Sequence, residues 1–290
     1  MTARGRIAKR PAGPGTVYGT PAWRRRLAGA PSAVAVTVAV LVVVLTAVIT
    51  AIVAPGSGRI DAVAHVKSLR LGSPAGQPAG APSSTAVPVV PDSIQHAAEA
   101  PGKAVNITID DGPDPVWTPK VLAVLKKHNA HAVFCMIGPQ AQAHPADVRA
   151  VVAAGDRLCD HTVHHDEEMD KKPVAYQQSE ILDAYTMIHD ASGGARVYYY
   201  RAPGGAFTPA SRAFAAQHGM RPLGWNVDTE DWKRKGVDAI VGTVKDEIGN
   251  GPTILFHDGG GDRSQTVAAL DQTLTWLQSQ GYAFSFPKVD

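Results

Sequence analysis

The sequence predicts an α/β domain built on a largely parallel sheet, open or rolled into a barrel, behind one membrane-spanning helix and a flexible linker. Three observations carry that expectation. Short apolar runs alternate with helical stretches from about residue 103 onward, an uncharged apolar run fills residues 33–54, and a Pro-, Gly-, Ala- and Ser-rich stretch lies between them. Strand–helix alternation of this length implies parallel pairing through crossover connections. The 290 residues, 44% hydrophobic and 19% charged, exclude a disordered or fibrous chain. Two cysteines exclude a disulfide-stapled miniprotein and a four-cysteine zinc ribbon.

The N-terminal elements come first. Residues 1–26 hold seven basic side chains (Arg4, Arg6, Lys9, Arg10, Arg24, Arg25, Arg26) and no acidic one, so the rest of the chain carries a net charge of −5. An acidic main domain argues against nucleic acid as a partner. The basic tail, residues 1–32, precedes the apolar segment 33–54. At about 1.5 Å per residue that segment is long enough to cross roughly 30 Å of hydrocarbon. Arg24, Arg25 and Arg26 keep the N-terminus cytoplasmic by the positive-inside rule, so the C-terminal part is exported. The apolar run exceeds a signal-peptide core, and Ile52-Val53-Ala54 is a poor cleavage site. An uncleaved signal anchor in the cell membrane is therefore expected, with secretion after cleavage as the alternative. Residues 55–100 read as a solvated tether, interrupted by a short amphipathic piece at 59–70.

Beyond it, in residues 101–290, strands and helices alternate. Strand 104–109 leads to helix 118–128, which opens on Thr118-Pro119 with Pro at the first helical position. Strand 132–137 leads to helix 145–154, strand 157–159 to helix 173–191, and strand 197–200 to helix 209–218. Strand 222–226 leads to helix 237–248, strand 253–256 to helix 266–280, and a last strand falls at 282–286. In parallel α/β architectures ligands gather beyond the carboxyl ends of the strands. Those ends carry Asp110-Asp111-Gly112-Pro113, then Asp160-His161-Thr162-Val163-His164-His165, Arg201-Ala202-Pro203-Gly204-Gly205, Asp228-Thr229-Glu230-Asp231-Trp232 and Leu255-Phe256-His257-Asp258.

Adjacent carboxylates at a strand end point in different directions, so one can ligate a metal while the other serves as a base. His161 with His165 or His164 supplies nitrogen ligands. Two histidines and one carboxylate make a catalytic zinc set, and the same trio holds non-haem iron. Alone, Asp-Asp-Gly-Pro is usually a turn, and paired histidines are more often structural than ligating. Their conjunction at successive strand ends is what points to a site.

In order, Asp110-Asp111-Gly112-Pro113, His161-Thr162-x-x-His165, Arg201-x-Pro203-x-Gly205, Asp228-x-x-Asp231-Trp232 and Leu255-x-His257 resemble the five motifs of the polysaccharide deacetylase family. This is carbohydrate esterase family 4, which carries the NodB homology domain. The resemblance implies a distorted (β/α) barrel of about seven strands. By position it implies Asp111, His161 and His165 as ligands of one divalent metal ion, zinc in the first place, with Co2+, Mn2+ or Fe2+ also accepted. Asp110 is similar to the family's general base, Arg201 to the arginine that orients it, and His257 to the general acid. Asp228 is similar to the aspartate that holds the acid's proton. Pro203, Gly204, Trp232 and Leu255 resemble substrate-binding positions. The implied reaction is hydrolysis of N-acetyl groups on an N-acetylglucosamine polymer of the envelope, peptidoglycan above all. Chitin or chitooligosaccharide and O-acetylated xylan are the alternatives, and a silent glycan-binding wall protein is a third reading. Gly204 stands where the family commonly has an aromatic, which puts sugar preference in question. Cys135 and Cys159, on neighbouring strands of such a fold, are expected to be bridged outside the membrane. The partners implied are an acetylated polysaccharide and the cytoplasmic membrane, with a monomeric chain.

Overall fold

Residues 88–290 are described by the structure, a computed structural model. The basic tail, the predicted membrane segment 33–54 and the tether up to residue 87 lie outside the described residues. Among the described residues no helix is long and apolar enough to cross a membrane.

The strands are β1 Ala104–Asp110, β2 Ala132–Met136, β3 Arg157–Asp160, β4 Val197–Tyr200, β5 Arg221–Pro222, β6 Val227–Asp228, β7 Thr253–His257 and β8 Ala283–Ser285. They form one curled sheet in the order β5-β4-β3-β2-β1-β7-β6, with β8 beside the start of β1. All strand pairings are parallel. The covering helices are α1 Thr118–Lys127, α2 Gly138–Ala143, α3 Pro145–Ala153, α4 Val174–Ser192, α5 Pro209–Gln217, α6 Val237–Glu247 and α7 Ser264–Ser279. The short α2 was not anticipated, because Gly-Pro-Gln-Ala-Gln-Ala has no apolar stripe to give a helical period.

Strict alternation in β1 explains how a buried strand builds both core and site. Val105, Ile107 and Ile109 belong to the larger apolar core, together with Phe134, Leu158, Ile254 and Phe256 of neighbouring strands and helix residues such as Val121, Ile181 and Leu270. Each such fully buried side chain contributes about 1.5–3 kcal/mol. The intervening Asn106, Thr108 and Asp110 point the other way and are almost completely buried. Their polar atoms are paired: Asn106 with the Thr253 hydroxyl at 3.0 Å, and the Thr108 hydroxyl donating to the Ile254 carbonyl at 2.9 Å. Register places Asp110 beside both Cys135 of β2 and His257 of β7, on one face of the sheet. A smaller apolar cluster, Val133, Cys135, Cys159, Tyr199 and Leu223, completes that inner face. Cys135 and Cys159 are register partners and are joined by a disulfide.

Two boundaries differ from expectation. The strand predicted over 222–226 divides in two, because the chain there crosses from one edge of the curled sheet to the other. The Leu223 N–H donates to Tyr200 of β4, whereas the Asn226 N–H donates to Thr253 of β7. Residues 90–100, expected to belong to the tether, are packed onto the domain instead. Val90 is buried, Gln95 bridges to Leu223, Ala98 to Pro287, and the Glu99 carboxylate pairs with Arg157 at 2.6 Å. This segment satisfies backbone groups that the open seam leaves exposed: Gln95 N–H donates to Pro222, and Gly224 N–H to Gln95.

Candidate active site

The seam explains why Arg201 is fully buried. Just past β4, its guanidinium donates to the Leu223 and Gly224 carbonyls (3.2 and 3.0 Å), to the Thr108 hydroxyl (2.9 Å) and to Asp110 Oδ1 (2.6 Å). One side chain thus ties the seam crossing to β1 and fixes the Asp110 carboxylate. Charge-assisted bonds of this kind are roughly twice as strong as neutral ones. Arg201 therefore does more than pair with Asp110.

Asp111 follows with φ at 75°, so its side chain turns out of the strand's alternation. Thr162 and His165 also have positive φ, at 68° and 52°. Such backbone is costly for non-glycine residues and gathers at functional sites. The result is convergence: Asp111 Oδ1 lies 3.2 Å from His165 Nε2 and 3.6 Å from His161 Nε2. Two ligand atoms each about 2.1 Å from one ion lie roughly 3.0–3.4 Å apart at the usual bond angles. Asp111 Oδ1 is buried with no hydrogen-bond partner, an arrangement that costs about 1–3 kcal/mol unless a cation meets it. The trio therefore fits a divalent ion. His161 is prepared for it, since its Nδ1 lies 2.8 Å from the Arg201 carbonyl. That contact requires the proton on Nδ1 and leaves the Nε2 lone pair free. Burial holds the His161 pKa below its ordinary value, the charges of Asp110 and Asp111 opposing it. For Asp111, burial pushes the carboxyl up, but the close approach of His165 and the nearby histidine charges outweigh it, leaving the group below the usual carboxylate range.

His164, the other candidate ligand, faces away. Its Nδ1 lies 2.6 Å from Glu180 Oε1, while Glu180 Oε2 accepts the backbone N–H groups of Val163 (3.1 Å) and His164 (2.9 Å). Glu180, buried on α4, thus clamps the loop between His161 and His165, the two histidines of the candidate metal trio. Nothing in the sequence marked it beyond a lone acid on the inner face of a helix.

Across the metal trio sits His257, and here the expectation is corrected. Its Nδ1 contacts Asp231 Oδ1 at 2.7 Å, not Asp228. Asp231 is fully buried and also accepts the His257 N–H (3.0 Å), the Thr266 hydroxyl (2.6 Å) and the Thr229 hydroxyl (3.1 Å). Asp228 instead accepts the Glu230 N–H at 2.9 Å and forms the turn. That turn, with Glu230 at positive φ, swings Asp231 back beneath His257. Burial works against charge on the His257 ring, but the Asp231 hydrogen bond and the charges of Asp231, Asp111 and Asp110 raise its pKa to about 9.

The remaining positions are less uniform. Leu255 is buried on the same strand face as His257, two residues below it, and Trp232 is 49% exposed beside Asp231. Pro203 and Gly204 lie in a short 3-10 turn after β4, Gly204 with φ at 58°. Asp258, unassigned from sequence, is completely buried and accepts the Thr118 hydroxyl at 2.5 Å. Burial first, then the neighbouring acids, push its pKa to about 7. Gly112 and Gly259 are required here: a Cβ at 112 would overlap the Asp258 carboxylate, and one at 259 the Asp111 backbone.

Similarity to known proteins agrees with this geometry. The polysaccharide deacetylase family profile matches residues 97–223. A peptidoglycan-N-acetylglucosamine deacetylase of Bacillus cereus is 37% identical over 187 residues, covering 63% of this chain and 85% of that protein. A chitooligosaccharide deacetylase of Sinorhizobium fredii is 36% identical over 191 residues, covering 62% and 87%. Among solved structures, a family 4 carbohydrate esterase pseudoenzyme of Bacillus anthracis superposes with a TM-score of 0.58 at 28% identity. The match covers 63% of this chain and 63% of that one, so the chain spans a little under two-thirds of that protein. The profile match, the level of identity and the shared fold place this chain in the polysaccharide deacetylase family.

Proposed function

We propose that the protein hydrolyses N-acetyl groups on an N-acetylglucosamine-containing polysaccharide, peptidoglycan above all, with one divalent metal ion held by Asp111, His161 and His165. A peptidoglycan deacetylase and a chitooligosaccharide deacetylase among the relatives support that substrate class. Zinc is the proposed metal on the chemistry of the donor set. The apolar segment 33–54 supports a single-pass anchor that holds a monomeric catalytic domain outside the cell membrane, within reach of the wall.

A bound divalent ion polarises the acetamide carbonyl and acidifies water at the site. The chain's own groups supply the rest. Asp110, oriented by Arg201 at 2.6 Å, accepts a proton from the attacking water. The water oxygen bonds to the acyl carbon. His257 carries the second proton, since Asp231 keeps its Nδ1–H engaged and its Nε2 free to donate. Its transfer to the departing nitrogen breaks the C–N bond and leaves acetate and a free amine. The observation that carries this reading is the flanking of one metal trio by a base fixed through Arg201 and an acid fixed through Asp231.

The full chain in detergent, loaded with metal and given purified glycans, tests it. Acetate and new amine should appear in equal amounts and vanish with a chelator. Acetate without amine would replace the reading with an esterase acting on O-acetyl groups. The pseudoenzyme likeness favours a second reading, a silent glycan-binding protein, which requires glycan binding with no acetate from any metal-loaded sample.

A further inference from the structure

Among the described residues, two acids of the loop after β3, Glu167 and Asp170, have no ion-pair or hydrogen-bond partner, and Glu167 is the one set beside His165 and Gly204. Asp166 pairs with Lys172 at 3.6 Å and Glu168 with Lys171 at 2.6 Å, while Glu167 between them has no ion-pair or hydrogen-bond partner among the described residues and is exposed. Two neighbours locate it. It lies two residues past the ligand His165, close enough for its charge to act on that ring. Its stem also crosses Gly204: a Cβ built there would meet Glu167 Cβ at 3.3 Å and Cγ at 3.4 Å. Gly204 is left-handed, with φ at 58°, so the backbone itself disfavours a side chain and leaves the space to Glu167.

Sheet order fixes the consequence. The loops after β3 and β4, with Glu167 and Gly204, lie on one flank of β1, whereas those after β6 and β7, with Trp232 and His257, lie on the other. A glycan strand laid across β1 would pass the loop of Trp232 on one flank and the loop of Glu167 on the other. A neutral acetylated sugar offers the Glu167 carboxylate no counter-charge, but an ammonium group does.

Resting on the deacetylase reading, we propose that Glu167 is a specificity residue that binds an ammonium group on the substrate strand beside the reacting acetamide. The reaction itself produces such a group, so a strand already opened at one sugar is a better substrate than an untouched one. An amine on an attached peptide presents the same cation from a second source.

The test compares kcat/KM of the metal-loaded full chain on a fully acetylated oligomer, on the same oligomer with one free glucosamine, and on peptide-bearing strands with the peptide amine free or blocked. The wild type should prefer a free-amine substrate by about two- to five-fold, the range an exposed ion pair supports. That preference should shrink with added salt and fall toward unity in Glu167→Gln, while Glu168→Gln keeps it. Preference on the glucosamine arm or on the peptide arm identifies the source. Equal rates on all arms, or a preference that survives Glu167→Gln, overturns the proposal. Equilibrium binding of the same oligomers to Asp110→Asn separates the two readings. Tighter binding of the amine-bearing oligomer, lost in the double variant with Glu167→Gln, supports the Glu167 assignment even where no acetate is released. Equal binding of all oligomers overturns it.

Discussion

The Asp231 carboxylate grips His257 twice, through Nδ1 at 2.7 Å and through the backbone N–H at 3.0 Å. A buried anion that holds both the ring and its own strand sets the tautomer, the orientation and the charge of His257 together. Asp228, three residues earlier, has none of these contacts and caps a turn.

Exchanging these two aspartates separates their roles. Asp231→Asn should lower kcat by about a hundredfold or more, the scale of a positioned general acid. Asp228→Asn, which keeps an acceptor for the Glu230 N–H, should stay within a few-fold of the wild type. Steady-state kinetics on one acetylated oligomer decides it, and the opposite ranking would return the role to Asp228.

The same contact predicts a pH dependence. Folding raises the His257 pKa from 6.5 to about 9, so the stabilisation from the charged ring is complete below pH 6.5 and lost as pH rises towards 9. Turnover that needs the proton should fall on the alkaline side near pH 9, and the limb should move to lower pH in Asp231→Asn. A pH–rate profile of both proteins checks the sign.

Asp258 gives the reverse case of a buried acid. Its pKa is raised from 3.8 to about 7, so the folded state loses stability as pH climbs through that window and carries the whole penalty above it. Asp258→Asn should match the wild type near pH 4 and be more stable at pH 8 by a few kcal/mol, on the order of 1.4 per pKa unit. Thermal unfolding in chelator at the two pH values measures the difference.

Glu180 touches no ligand, yet its three contacts hold the loop that carries His161 and His165. Glu180→Ala should weaken metal binding by about ten- to a hundredfold, the effect of losing outer-shell support. Competition against a chromophoric chelator reads this directly. By contrast, His161→Ala should remove the metal, and Asp110→Asn should bind it normally with turnover reduced by orders of magnitude.

The Cys135–Cys159 bridge closes a loop with a sequence separation of 24. Loop-closure entropy of that size corresponds to about 3.5 kcal/mol. The double Cys→Ala variant should unfold at correspondingly lower denaturant, with the metal trio and its affinity unchanged.

Much of the site is legible in the sequence because strands impose a period of two and parallel sheets present their carboxyl ends together. Asp110, Asp111, His161, Arg201 and His257 follow from that geometry and from the ordered motifs. What sequence could not give is direction at irregular backbone. The resemblance gives the hold on His257 to Asp228, but the left-handed turn at Glu230 brings Asp231 back beneath the ring instead. Likewise, His164 and His165 are adjacent, and positive φ together with the Glu180 clamp sends one to each side.

The sequence by itself determined the strand–helix alternation, the chemistry at the strand ends and the apolar segment ahead of the domain, all of which are local patterns. Tertiary structure alone decided the seam between β5 and β6, its sealing by Arg201 and the 90–100 segment, the pairing of Asp231 with His257, and the placing of Glu167 across Gly204. These depend on contacts between residues far apart in the chain, and no local period encodes which distant partner a buried charge will meet.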